Sequence, residues 1–289
     1  MSTVLITGTS KGIGLATALT LARAGHTVYA TMRNADRAAE LAEEATQELL
    51  PIHYSVMDVD SDESVASSIA AIQQGAKPID VLVNNAGVER NGSIEELSMD
   101  DFRAVMETNY FGAIRCMKAV IPHMRKRRSG LIINITSVAG RVSTSPLGPY
   151  AASKFALEAL SEALAQEMKT FGVRVAIVEP GVIDTPMANG IGVPASESLY
   201  PQQKRMAAYF AAALRTPTPP SLVAEKIQSI IESGTWQLRH PVGPGAEPLL
   251  ESRKATSDED YVAFHGMADD DAWYAIMEQR TGMVLRPKD

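Results

Sequence analysis

Short apolar runs rich in β-branched residues alternate with longer amphipathic stretches through most of the chain. The runs at 4–7, 27–31, 50–54, 80–84, 131–135 and 173–178 are apolar on both faces, which predicts buried strands of a parallel sheet. Between them, helical periodicity predicts helices over 12–24, 35–47, from 62 onward, 99–125 and 150–170. Gly25 stops the first of these. Strict alternation of strand and helix implies right-handed crossovers and a doubly wound α/β fold. In such folds ligands bind beyond the carboxyl ends of the strands. The pattern changes after Pro186, where residues 188–219 are rich in Ala, Met, Pro and Tyr and show no strand pattern. A helix resumes over 221–233, residues 236–239 read as a short seventh strand, and helical periodicity returns near 272–280, closed by Gly282. The expectation is one domain over 1–289, with 188–219 folding over the site as a lid and 241–289 forming a C-terminal extension.

Composition narrows the function without naming it. The chain has 289 residues, 45% of them hydrophobic, and a net charge of −7. That charge argues against a nucleic-acid binder, which would carry a basic surface. The run Arg125-Lys126-Arg127-Arg128 is the exception; it ends a predicted helix, where cations complement the macrodipole. Cys116 is the only cysteine and falls in an apolar helical pattern, so it reads as a small core residue. The five histidines show no metal-ligand spacing, and no metal is expected. No apolar run has membrane-spanning length, and the first strand starts too early for a leader. A cytoplasmic protein is expected.

The candidate chemistry starts with Tyr150 and Lys154, four residues apart and therefore on one helix face. An ammonium near a phenol favours the phenolate, which makes the tyrosine usable as an acid or base. The turn Thr7-Gly8-Thr9-Ser10-Lys11-Gly12-Ile13-Gly14 joins the first strand to the first helix. Its glycines permit close approach of a pyrophosphate to the helix N-terminus. Asn84-Asn85-Ala86-Gly87 follows the fourth strand, Ser137 the fifth, and Pro180-Gly181 with Thr185 the sixth. NAD-selective enzymes usually carry an acid at the end of the second strand. Here that place holds Thr31-Met32-Arg33-Asn34. Arg33 together with Lys11 would bind a 2′-phosphate, so NADP(H) is favoured over NAD(H).

Taken together, the glycine turn, Asn84-Asn85-Ala86-Gly87, Asn109, Ser137, Tyr150 with Lys154, and Pro180-Gly181 with Thr185 resemble the short-chain dehydrogenase/reductase family, over residues 3–187. The resemblance implies a Rossmann-like sheet of about seven strands, a carbonyl or alcohol substrate, and a homodimer or homotetramer. It implies that Tyr150 exchanges a proton with the substrate oxygen and that Ser137 hydrogen-bonds that oxygen. Lys154 would lower the tyrosine pKa and hold the nicotinamide ribose, and Asn109 would position a relay water. Gly8, Ser10, Lys11, Gly12, Ile13 and Gly14 would hold the pyrophosphate side. Asn85, Ala86 and Gly87 would line the adenosine ribose. Asp58, next to Val59, would cap the adenine amino group or merely form a local turn. Pro180, Gly181 and Val182 would lie against the nicotinamide, with Thr185 on its carboxamide. Val88, Val138, Ser143, Leu147, Val182 and Met187 are candidate substrate contacts beside Ser137 and Tyr150. Ile191, Leu199, Met206, Tyr209 and Phe210 either suit an apolar substrate or simply pack the lid. The wording of the second strand and the long C-terminus are similar to the branch acting on hydroxysteroids and retinoids. The rival expectation is a cofactor-binding sensor without chemistry, although such relatives usually lack the tyrosine or the lysine. A dehydratase or epimerase is a weaker rival, because those chains are longer and space their glycines differently.

Overall fold

The computed structural model describes residues 1–75, 78–193 and 198–286. Part of the expected lid, 194–197, and the last residues of the extension, 287–289, lie outside the described residues. Seven strands form one sheet: β1 (Thr3–Thr7), β2 (Thr27–Met32), β3 (Ile52–Val56), β4 (Val81–Asn84), β5 (Gly130–Ile135), β6 (Val173–Pro180) and β7 (Arg239–Val242). Their order is β3-β2-β1-β4-β5-β6-β7, and every neighbouring pair is parallel. The helices are α1 (Gly12–Arg23), α2 (Ala39–Gln47), α3 (Asp62–Gly75), α4 (Met99–Met106), α5 (Gly112–Arg127), α6 (Gly148–Lys169), α7 (Pro186–Ile191), α8 (Pro201–Ala213), α9 (Pro220–Ser233), α10 (Ala246–Ala255), α11 (Asp258–His265) and α12 (Asp270–Thr281).

The two-residue period of a strand decides which layer each side chain joins. Val4 and Ile6 of β1 pack with Leu15 and Leu19 of α1, Leu41 of α2 and Ile227 of α9. Leu5, between them, points to the other face, toward Ile69 of α3, Val120 of α5 and Leu157 of α6. Cys116 is fully buried in this second layer, as its apolar surroundings predict, and burial pushes its thiol up to about 12. The sheet is thus covered on both faces, which explains strands without a polar side.

The differences from the sequence pattern have local causes. The predicted long helix over 99–125 is two α-helices joined by a π-helical turn, Glu107–Phe111. Such turns do not alter hydrophobic periodicity enough to be seen in a sequence, and they often mark functional sites. The seventh strand lies three residues beyond 236–239. Pro241 disguises it, yet an edge strand tolerates proline. Trp236 instead lies outside the strand with the Lys169 ammonium 3.6 Å from its ring centre. The basic run that ends α5 is less free than a solvated helix end. Arg128 adopts a left-handed cap, φ 56°, and donates to the Thr170 carbonyl at 2.6 Å, and Arg127 donates to the Ser129 and Ile79 carbonyls.

The region after β7 holds three helices where one was expected. Ser257 and Asp269 cap α11 and α12 with their side chains. Together with α8 these helices form a separate small core of Ala212, Phe264, Trp273 and Leu285. Arg205 of α8 is drawn into it, 2% exposed. Its Nε donates to Asp270 Oδ1 at 2.6 Å, its Nη1 to the Met267 carbonyl at 2.9 Å, and its guanidinium lies 5.4 Å from the Trp273 ring centre. The segment expected as a lid is therefore latched to the C-terminal helices. Asp270→Ala would leave this buried guanidinium without its carboxylate. Because Asp270 is half exposed, the expected loss is about 1–3 kcal/mol, below the usual cost of breaking a fully buried pair. Urea unfolding of the variant against the wild type measures it, and an unchanged midpoint would show that the latch contributes nothing.

Candidate active site

The strand order reverses direction between β1 and β4, and at that point the loops leaving the two strands diverge to open a crevice. After β1 the chain turns through Gly8 and Gly12, at φ +71° and +59°, which other residues adopt only with strain. A Cβ on Gly8 would lie 2.8 Å from the Ala86 Cα, and one on Gly14 would collide with the Gly8 carbonyl oxygen. Asn85 holds this turn from below. Its Nδ2 donates to the Thr7 and Gly8 carbonyls at 2.9 and 3.0 Å, while the Asn85 and Ala86 amides donate to Thr7 Oγ1 at 3.0 and 2.9 Å. A Cβ on Gly12 would come within 3.2 Å of Thr185 Cγ2, so the glycine turn faces the start of α7. Thr185 itself caps α7, accepting from the Ala188 amide at 3.2 Å. Ser10 and Ile13 are partly buried beside the turn, and Lys11 is exposed. A cradle that admits only hydrogen at Gly8 and Gly14, opening on a helix N-terminus with an exposed lysine, fits a dinucleotide pyrophosphate.

The catalytic candidates converge from three further segments. The π-helical turn swings Asn109 inward, to 1% exposure. Its Oδ1 accepts from the Val88 amide at 2.8 Å, and its Nδ2 donates to the Val88 carbonyl and to Ser153 Oγ, each at 2.9 Å. Asn109 thus ties the loop after β4 to α6. Gly87 passes so close that a Cβ there would lie 3.3 Å from Asn109 Oδ1 and 3.8 Å from Lys154 Nζ. Tyr150 and Lys154 stand on the first turns of α6, with Lys154 Nζ 5.6 Å from the tyrosine ring centre. Ser137 leaves β5 beside Pro180, its Oγ 3.4 Å from that carbonyl and accepting from the Ala139 amide at 3.1 Å.

The expected electrostatics of the pair need correction. The phenol of the partly buried Tyr150 is pushed up to about 12, mainly by desolvation, with Ser137 pulling the other way and the Glu89 carboxylate adding to the rise. Burial also pulls the Lys154 ammonium down to about 8, against the upward influence of Glu158. Lys154 donates to the Ile135 carbonyl at 2.9 Å rather than to the phenol. Desolvation therefore outweighs the attraction that the four-residue spacing suggests.

The remaining candidates are divided between the crevice and the surface. Asp58 Oδ1 accepts from the Asp60 amide at 3.1 Å, so it does form a local turn. Val59 next to it is buried against Gly112. Arg33 projects from the end of β2 into solvent, 4.0 Å from Asp60 Oδ2. An acid does reach this corner, but from beyond β3. Burial raises the Asp60 carboxyl, and Thr108 donates to it at 3.0 Å. Val88, Val138, Val182, Met187 and Gly181 are partly buried, and Leu147 is buried. Ser143 is exposed. It lines an outer groove of about 670 Å³ between α6 and the C-terminal helices, with Arg141, Phe155 and Arg253. Sequence reasoning did not pick out Glu89, Thr136, Glu158 or Arg205. Glu158 alone had a signal, since it repeats the spacing of Tyr150 and Lys154 along α6.

Residues 2–194 match the family described as short chain dehydrogenase. The chain belongs to that family. An uncharacterised oxidoreductase of Bacillus subtilis (strain 168), YusZ, is 38% identical to this short-chain dehydrogenase over 255 residues, covering 85% of the chain and 90% of the relative. Retinol dehydrogenase 8 of Bos taurus is 44% identical over 187 residues, covering 63% of the chain and 59% of that protein's own length. Among solved structures, a point variant of actinorhodin polyketide ketoreductase with NADPH superposes with a TM-score of 0.75 at 29% identity, covering 84% of the chain and 96% of that structure. The short-chain dehydrogenase is thus an oxidoreductase of a family that binds a nicotinamide cofactor. No helix among the described residues is long and apolar enough to cross a membrane.

The buried lysine makes a testable mark on stability. Its folded value, about 8, lies below its ordinary 10.5, so between these limits the unfolded chain binds more protons than the folded one. Stability contributed by this group therefore rises from pH 8 upward. The window closes near pH 9, where the Cys116 thiol, raised from 9.0 to about 12, begins to oppose it, joined above pH 10 by Tyr150, raised from 10.0 to about 12. Urea unfolding of Lys154→Met should lack the rise between pH 8 and 9 that the wild type shows. An equal rise in both would mean that Lys154 titrates normally.

Proposed function

We propose that this short-chain dehydrogenase interconverts a carbonyl and a secondary alcohol with NADP(H), on an apolar or cyclic substrate. The convergence of Ser137, Tyr150 and Lys154 beside the glycine cradle carries this reading, since a cofactor-binding sensor without chemistry would need neither Ser137 nor Tyr150. The nicotinamide, when bound, supplies or accepts the hydride. The protein's own residues do the rest. Ser137 Oγ hydrogen-bonds the substrate oxygen and stabilises charge growing on it. Tyr150 gives that oxygen its proton. A phenol held near 12 keeps its proton at neutral pH, which suits a donor in reduction, whereas alcohol oxidation needs the phenolate and a higher pH. Lys154 holds the ribose hydroxyls, and Asn109 keeps the Val88 loop and α6 in register around them. Val88, Val138, Leu147, Val182 and Met187, roofed by α8, form the apolar wall. The retinol in a relative's name is in keeping with an apolar alcohol or its carbonyl partner. The latch on Arg205 holds this roof, so substrate size is read by a braced cover.

Tyr150→Phe should lose at least about 10²-fold in kcat while NADPH still binds, as expected for a missing general acid. Carbonyl-dependent NADPH oxidation and a fluorescence titration measure the two parts, and near-normal turnover would end the proposal.

NADP(H) preference rests on Lys11 and Arg33, both exposed and both able to meet a 2′-phosphate. Arg33→Asp should cost about 1.5–3 kcal/mol of NADPH recognition, and the ratio of kcat/KM for NADPH to that for NADH should fall roughly ten- to a hundredfold. An unmoved ratio would leave Arg33 as a solvent-facing partner of Asp60.

A further inference from the structure

Two side chains of α6 grip two consecutive residues at the end of β5. Lys154 Nζ donates to the Ile135 carbonyl at 2.9 Å, and Thr136 Oγ1 donates to Glu158 Oε1 at 2.6 Å. The next residue in the chain is Ser137. Lys154 and Glu158 are each 4% exposed and lie four residues apart on one helix face. The Thr136 hydroxyl also lies 3.0 Å from the Val178 carbonyl of β6. It has a single proton, and the shorter, charge-assisted bond takes it. The packing around this grip has no slack, since a Cβ on Gly140 would come within 3.0 Å of Glu158 Cγ and 3.1 Å of the Lys154 carbonyl.

The other oxygen of Glu158 accepts from Arg239 Nε of β7 at 3.0 Å. Arg239 also reaches Glu162, one turn further along α6, at 2.6 Å. Glu179 of β6, 1% exposed, lies 3.1 Å from Arg141 Nη1 and 3.9 Å from Arg239 Nε. These are the charged groups around Glu158. Lys154 is faced by Tyr150 and Glu158 from its own helix, and Glu89, after β4, acts on Tyr150.

We propose that Glu158 and Thr136 are positioning residues for the reaction: their buried hydrogen bond sets Ser137 against Tyr150, and the Glu158 carboxylate, buried one turn from Lys154 on the same face of α6, is the counter-charge of its ammonium. The kinetic half rests on the reductase reading above. A lysine that turned from Ile135 to hold ribose hydroxyls would leave the Thr136–Glu158 bond, together with that of Asn134 Nδ2 to Ser161 Oγ at 2.7 Å one turn further along α6, as the tie between α6 and the end of β5. Arg239 and Arg141 share the burden of burying the two glutamates, so the carboxylate is affordable only as part of this four-charge cluster.

Two variants separate geometry from charge. Thr136→Val keeps the shape and deletes the hydroxyl. It should lower kcat about tenfold or more with the KM for NADPH within about twofold, and Thr136→Ser should restore kcat. Glu158→Gln keeps an acceptor for Thr136 and removes the charge. In protein with isotope-labelled lysine, the Lys154 resonance, identified by its loss in Lys154→Met, should titrate about one pH unit below the wild type. A Thr136→Val kcat within twofold of wild type, or an unmoved Lys154 midpoint in Glu158→Gln, overturns the proposal. If the wild type reduces no carbonyl, the reductase reading fails while the lysine titration still decides this one. If Glu158→Gln does not fold, the Thr136→Val and Thr136→Ser pair carries the test.

Discussion

Every strand of this protein's sheet runs the same way, and that constraint organises everything else. Parallel neighbours cannot be joined by tight turns, so each connection crosses a face of the sheet as a helix. Both faces are then covered, and all the strand exits open on one edge. The glycine turn after β1, the Asn85 loop after β4, Ser137 after β5 and Gly181 after β6 meet there because the topology leaves them no other place. Reversal of strand order between β1 and β4 opens the crevice, and the hydrogen bonds of Asn85 to Thr7 and Gly8 fix the spacing of its two walls.

Within that crevice the chemistry is governed by burial as much as by charge. Tyr150 and Lys154 are both desolvated, and the two effects run in opposite directions. The phenol holds its proton more tightly and the ammonium more loosely than either would in water. A buried cation is tolerated because the protein surrounds it with a graded set of partners, from the Ile135 carbonyl to the Glu158 carboxylate, which in turn leans on Arg239. The site is therefore not three residues on a scaffold. It is the exposed end of a polar column that runs along α6 into the edge of the sheet.

The C-terminal helices add a second level of organisation. They brace α8 through the buried Arg205, and Tyr261 of α11 donates to the Ser143 carbonyl in the loop before α6. The helices α8 and α6 are thus connected through a part of the chain remote from both in sequence.

Sequence alone determined the parallel sheet, the order of its helices and the places of Asn109, Ser137, Tyr150 and Lys154. The physical reason is that these are local signals: a two-sided apolar strand, a glycine where φ must be positive, a four-residue spacing on a helix. The π-helical turn at Asn109 escaped because it changes the backbone without changing the periodicity. The true β7 was hidden by Pro241, which only an edge position permits. The sign of the tyrosine's shift could not be read from spacing, since it depends on how much water the fold excludes. The partnership of Thr136 with Glu158, the approach of Asp60 to Arg33, and the latch of Arg205 on Asp270 join residues far apart in the chain. Those pairings exist only after crossovers and helix packing have brought distant segments together, and tertiary structure alone decided them.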